Sequence, residues 1–366
     1  EGNVDRHISG NGRVSGPHSW LGGGGVRSLA VLAIVIGFAP LTVLAQPWGA
    51  NPAGSGQPVT LYCSIDEPFG RMVLDKFMKK TGIPVRVEFD TEAGKTTGLF
   101  RKIMLEKQSG SPRADVFWSS ELFNTILLAR RGALQPYESP SASDIPQRYK
   151  DEDHHWTAHA LRARVLAYNP KIAQPEGSFS WETLGGESMA RYTAMANPLF
   201  GTTRGHVAAM FALWGEDRAR KFLTGFRKGD GFIADGNSAA VRKILAGDRP
   251  FAMTDTDDVW VAKESGAEIE MIYPDMGDGG TLLIPCSVAM IAGRPENENA
   301  KKLVDYLLSP EVERLLGQSS SRNIPVRQSE RNRLDMKLPP ETKVSFEKIV
   351  DMLEVSERSV RDILLR

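Results

Sequence analysis

From residue 59 onward, short β-rich runs alternate with stretches of helical period, and this alternation limits the fold more than any motif does. Val59–Cys63 reads as a strand, and Phe69, Met72, Val73, Leu74 and Phe77 then follow a helical period that stops at Gly82. Val85, Val87 and Phe89 alternate with Arg86 and Glu88 as a second strand, followed by a helix over 96–107. A third strand (114–118), a helix (121–131) and an extended run (134–137) complete a βαβαβα series. The grammar resumes with strands expected at 192–196, 232–234, 251–254 and 269–273. Between them lie helices at 206–228 (broken near Gly215), 238–246 and 259–263. Such an order calls for parallel sheets covered on both faces. Two longer runs, 156–168 and 281–291, serve as crossings between two sheets, giving two halves with a cleft between them. The tail from Gln328 is charged, then amphipathic over 346–365, and is expected to pack back as a helix.

At 366 residues the chain has room for about two domains. Its 45 basic and 45 acidic side chains balance, which argues against a broad nucleic-acid footprint. Cys63 and Cys286 are the two cysteines, too few for a four-cysteine zinc site; their pairing is not set by the sequence. Arg27 precedes an apolar stretch, 29–44, that closes with Val43-Leu44-Ala45. Sixteen residues fall short of the roughly 20 that span a bilayer, so 1–45 is read as a leader with a cleaved secretory signal. A Pro/Gly/Ser linker, 46–58, follows it.

Ligands of open α/β sheets sit at the carboxyl ends of strands. The segments to examine are therefore 64–67, 90–97, 119–121, 197–204, 235–238 and 254–258. Gly201-Thr202-Thr203 and Asn237 precede or open helices, where free backbone N–H groups accept either a capping side chain or an anion. Asp255, Asp257 and Asp258 crowd three carboxylates, suited to a hard cation or an ammonium group, with helix capping as the plain alternative. Glu92 and Lys95 add an acid and a base at another strand end. Arg162 and Arg164 lie two apart on a strand, hence on one face, where a guanidinium suits phosphate or carboxylate. His154, His155 and His159 have poor metal-ligand spacing for a segment entering a strand. Trp118 and Trp260 flank cleft loops and are read as core or as stacking surfaces. There is no G-x-S-x-G, H-E-x-x-H or dinucleotide fingerprint, so the enzymatic alternative is a secreted hydrolase using Asp255, Asp257 and His206.

Taken in order, these residues resemble the extracellular solute-binding proteins of ABC importers, in the branch named for ferric-iron binding. The likeness covers about 59–327 and is carried by Leu61-Tyr62-Cys63-Ser64, Ala114-Asp115-Val116-Phe117-Trp118-Ser119-Ser120-Glu121, Gly132-Ala133-Leu134-Gln135-Pro136-Tyr137 and Arg164-Val165-Leu166-Ala167-Tyr168-Asn169. Asn237-Ser238-Ala239-Ala240-Val241 and Asn299-Ala300-Lys301-Lys302-Leu303 continue it, ending with Leu308-Ser309-Pro310-Glu311. The resemblance implies an α/β, two-lobed type II periplasmic-binding-protein fold, each lobe a mainly parallel sheet flanked by helices, with two hinge crossings. Lobe 1 is then 59–161 plus 288–366, and lobe 2 is 162–287. It further implies a monomeric periplasmic receptor without a cofactor of its own, which closes on a small charged solute and docks on an ABC permease.

In iron-binding members a His and a Glu join adjacent tyrosines, and an anion sits at helix N-termini. Here Gly201-Thr202-Thr203 and Asn237 match the anion side, whereas Asp66, Ser119 or Ser120, and Asp257-Asp258 stand at the His, Glu and tyrosine positions. Two readings stay open: ferric iron held by Asp257 and Asp258 with an anion, or a phosphorylated or phosphonate solute, or a polyamine, whose amine answers the aspartates. The ligand-binding set expected for either is Ser64, Asp66, Glu92, Lys95, Ser119, Ser120, Arg164, Thr202, Thr203, Asn237, Thr254, Asp255 and Asp257.

Overall fold

The computed structural model describes residues 57–90, 97–175 and 180–366. The expected leader, signal and most of the linker, together with Glu92 and Lys95, lie outside the described residues. Among the described residues no helix is long and apolar enough to cross a membrane.

The chain opens with β1 (Val59–Cys63), α1 (Glu67–Thr81), β2 (Val85–Phe89), α2 (Thr97–Gln108), β3 (Val116–Ser119), α3 (Phe123–Arg130) and β4 (Leu134–Gln135). β1 pairs in parallel with β2 on one side and β3 on the other, as alternation with helices requires. β5 (Thr157–Tyr168) then carries the chain across. A second series follows: α4 (Trp181–Leu184), α5 (Glu187–Ala190), β6 (Thr193–Ala196), α6 (Gly201–Trp214), α7 (Glu216–Lys228), β7 (Phe232–Ala234), α8 (Asn237–Leu245), β8 (Phe251–Asp255), α9 (Thr256–Glu264) and β9 (Glu270–Ile272). β6 lies between β7 and β8, parallel to both. The chain returns through β10 (Leu283–Ile291), α10 (Glu298–Leu307), α11 (Pro310–Gln318), β11 (Ile324–Pro325), α12 (Gln328–Arg333), α13 (Phe346–Asp351) and α14 (Leu353–Leu364).

The strands form one hydrogen-bonded path, and β5 is where it divides into two sheets. Its first half, up to Ala163, lies between β10 and β11. From Arg164 onward both neighbours change, and the strand lies between β8 and β9. A parallel core in each sheet therefore carries antiparallel crossing strands. The second passage differs from the expected 281–291. All nine residues of β10 are buried and pair only with strands of the first sheet, so the chain crosses back over 273–282. The helical run expected at 206–228 breaks at Gly215 as expected, into α6 and α7, where a φ of 81° would be resisted by a side chain, but it starts five residues earlier, at Gly201.

One apolar cluster runs through both sheets, with Trp118, Phe77, Phe117, Trp181 and Phe226 among its largest fully buried members. Each such side chain contributes about 1.5–3 kcal/mol relative to remaining exposed. The amphipathic tail is broken at Met352 into α13 and α14, and these pack against α3, α6 and α7.

Candidate functional site

Four helices, α1, α6, α8 and α9, begin at strand ends that surround one set of connected cavities. Their N-cap positions are Asp66, Phe200, Gly236 and Asp255, and at none does the side chain cap the helix. Thr202 and Thr203 are thus not caps, as their residue types suggest; α6 starts at Gly201, and both threonines lie in its first turn. The N-termini of α6 and α8 open on a cavity of about 40 Å³ lined by Asp66, Ser120, Arg162, Thr202, Thr203 and Asn237. Backbone N–H groups and the positive dipole end of a helix both favour an anion there. An adjoining cavity of about 660 Å³ lies between Ile65, Asp66 and Phe69 on one side and Val241, Leu245, Asp257 and Asp258 on the other. Its walls thus come from α1 and the loop before it, facing α8 and α9.

Beneath these cavities lies a buried ionic network. Arg164, fully buried on β5, donates from Nη1 to Asp255 Oδ1 at 2.7 Å and from Nε to His206 Nδ1 at 3.1 Å. The other Asp255 oxygen accepts from Thr202 Oγ1 (2.7 Å) and Asn237 Nδ2 (2.9 Å). The first-turn residues Thr202 of α6 and Asn237 of α8 are therefore positioned by a carboxylate that does not line the cavity. Burial pushes the Asp255 carboxyl up, but the Arg164 and Arg162 guanidiniums and the Thr202 hydroxyl outweigh it and hold it below the usual range. Arg162, on the same face of β5, reaches the cavity. Its Nη1 donates to Asp257 Oδ2 at 3.1 Å and its Nη2 to the Ser120 carbonyl at 2.5 Å. Among the described residues its Nε has no hydrogen-bond partner.

The expected site residues divide into two groups. Asp66, Ser120, Thr202, Thr203, Asn237, Asp257 and Asp258 line the cavities. Ser64, Ser119, Arg164, Thr254 and Asp255 lie behind the wall. Ser64 Oγ accepts the Ser120 N–H at 2.9 Å, and Ser119 Oγ donates to the Glu121 carbonyl at 2.6 Å; both fix the loop after β3. Thr254 donates to Asp258 Oδ2 at 3.0 Å. Arg162 is missing from the expected set although it reaches the cavity, and so are the lining residues Asp90, Asn197, Asp235, Ser238 and Arg242. The spacing of Arg162 from Arg164 placed both on one face, but spacing alone does not say which of the two stops short of the core.

The carboxylates of Asp255, Asp257 and Asp258 approach within 4.8 Å of one another, close enough to share a hard cation. Arg162 and Arg164 stand against two of the three, so a cation would share them with guanidiniums. The three histidines are not a cluster: His159 accepts from Trp118 Nε1 at 2.7 Å inside the core, where burial lowers its pKa to about 3. His155 instead pairs with Asp151. His206 is buried edge-on to Trp181, and its pKa is driven well below the ordinary value by burial and Arg164. Neither it nor Asp255 lines the cavities, which removes two of the three groups named for hydrolysis from reach of a solute. Trp118 is buried and Trp260 carries Arg322 at 4.3 Å, so neither tryptophan faces the cavities. Cys63 and Cys286 are both buried, and burial pushes the Cys286 thiol up to about 12.

Residues 73–342 match the model of the bacterial extracellular solute-binding proteins. The chain belongs to this family. Iron uptake protein A1 of Synechocystis is 24% identical over 281 residues, 74% of this chain and 76% of that protein. A putative 2-aminoethylphosphonate-binding periplasmic protein of Salmonella typhimurium is 25% identical over 256 residues, 68% of this chain and 71% of its own. The ferric binding protein from Campylobacter jejuni superposes with a TM-score of 0.74 at 22% identity, covering 84% of this chain and 99% of that one. The fold is the two-lobed type II architecture, and the chain is the solute-binding component of an ABC importer. Members of this family are extracellular or periplasmic and work with ABC permeases.

Proposed function

We propose that this receptor captures a small organic solute bearing a phosphate- or phosphonate-type anion and an ammonium group, seated in the cleft between its lobes. One observation carries the reading: the N-termini of α6 and α8, capped by no side chain, open on the same cavity as the Arg162 guanidinium. A dianionic group is met there by backbone N–H donors, two helix dipoles and a fixed cation. The adjoining cavity is lined by Asp66, Asp257 and Asp258 along with apolar side chains, which suits a short carbon chain ending in an amine. The Salmonella relative's name is in keeping with such a solute. In this reading the chain is exported by its leader, acts as a monomer, binds without turnover, and presents the closed lobes to its permease.

Ferric iron with a bound anion is the second reading, favoured by the three neighbouring carboxylates and the iron-binding relatives. Thermal unfolding separates the two. A ligand at a hundredfold excess over its Kd adds about 2.7 kcal/mol of apparent stability. We expect 2-aminoethylphosphonate to raise Tm by several degrees and ferric citrate to leave it unchanged. A shift with ferric citrate and none with phosphonates, phosphate esters or polyamines would replace the organic solute by iron.

A further inference from the structure

We propose that the C-terminal segment, residues 340–364, is a strap that limits rotation of one lobe against the other. It touches both lobes and the return crossing at once. Pro340 and Thr342 pair with Thr281 through backbone hydrogen bonds of 2.8 and 2.9 Å, at the point where the chain passes back to the first sheet. Thr281 Oγ1 in turn donates to the Arg164 carbonyl, where β5 exchanges its neighbours. The contact is tight: a Cβ at Gly280 would come within 2.3 Å of the Glu341 backbone, so only glycine lets the two chains approach there. Glu341 also accepts from Arg148 (2.7 Å) and Tyr149 (3.2 Å), in the segment before β5.

Further along, α13 itself bridges the lobes, packing on α6 of the second and on α3 of the first, where Arg130 pairs with Asp351 at 2.7 Å. α14 lies along α6 and α7 of the second, where Arg204 donates to Glu357 at 2.5 Å and Arg220 to Ser359 at 2.7 Å. Arg204 is the central node. It lies in the first turn of α6, directly after Thr202 and Thr203, and its Nη1 donates to Asn124 of α3 at 2.7 Å. One guanidinium therefore joins the second lobe, the first lobe and the tail. Rotation about β5 has to slide α13 over α3 and pull Arg204 off one of its partners. Such contacts have a discrete arrangement rather than a continuous one, which is what makes them a restraint.

The test uses the full chain, spin-labelled through Lys76→Cys on α1 and Ala246→Cys after α8; both positions are exposed, and the native thiols are buried. Double electron–electron resonance reads the distance between lobes without added ligand. In the Asp351→Asn/Glu357→Gln variant, the population outside the parent peak rises roughly fivefold or more, the factor carried by about one lost charge-assisted contact. Both substitutions are isosteric and lie on the surface side of the tail, so the variant folds, which its thermal transition verifies. A distance distribution superposable on the parent's, with or without a lower Tm, overturns the proposal and reduces the tail to a stabilising cover.

Discussion

Asp255→Ala destabilises the protein by about 3–5 kcal/mol, the cost of leaving a buried charge without its partner. Arg164 has no exposed surface and its nearest carboxylate is Asp255 at 2.7 Å. The substitution removes that anion and leaves the guanidinium with neutral partners only, His206, Thr202 and Asn237. It also withdraws the acceptor that holds Thr202 and Asn237, so the N-termini of α6 and α8 lose their common anchor. Asp255→Asn preserves shape and gives a smaller loss. An exposed pair provides the contrast. Glu67 and Arg71 lie 2.5 Å apart on the surface of α1, and Glu67→Gln changes stability by no more than about 0.5 kcal/mol. Urea unfolding at neutral pH checks both. A loss below about 1 kcal/mol for Asp255→Ala would mean that Arg164 finds water or another carboxylate, contrary to the burial described above.

Arg162→Gln acts on binding, beside a loss of stability from leaving the buried Asp257 without its cation. Arg162 reaches the cavity wall, whereas Arg164 stays in the core, so the two arginines answer to different measurements. Hydrogen bonds to charged groups are worth about 1.5–3 kcal/mol, so losing the guanidinium weakens a phosphonate or phosphate ester by about 10- to 100-fold. The actual loss tends to the upper figure, because Asp257 then faces the anion without its cation. Titration calorimetry on the folded variant measures it. Unchanged affinity would place the anion elsewhere in the cleft, away from α6 and α8.

Much of the fold was legible because the signals are local. Glycine ends, β-branched runs and helical periods marked most elements, and β5 differs from the expected crossing by a single residue. Where the reading went astray, the deciding contact was not local. The start of α6 at Gly201 carries no capping side chain, so the hydroxyls at 202 and 203 suggest a later start than the structure has. β10 resembles a crossing in length, but its pairing with β3 and β5 fixes it within the first sheet. The site was legible as a set of strand ends and illegible in depth. Residues 254–258 show which acids are adjacent; they do not show that Asp255 ends β8 facing inward while Asp257 and Asp258 turn outward on α9. The Arg162–Arg164 pair has the same limit: alternation sets the face, and tertiary packing decides which end of the strand meets the cleft.

The seat of the anion is tested most directly by a crystal structure of the protein with 2-aminoethylphosphonate, with diffraction also collected at the iron absorption edge. The account predicts a phosphorus group over the first turns of α6 and α8 within hydrogen-bond reach of Arg162, its amine directed toward Asp66 and Asp258, and no iron peak. An anomalous iron peak bound by Asp257 and Asp258, with the phosphonate missing from the cleft, would contradict it.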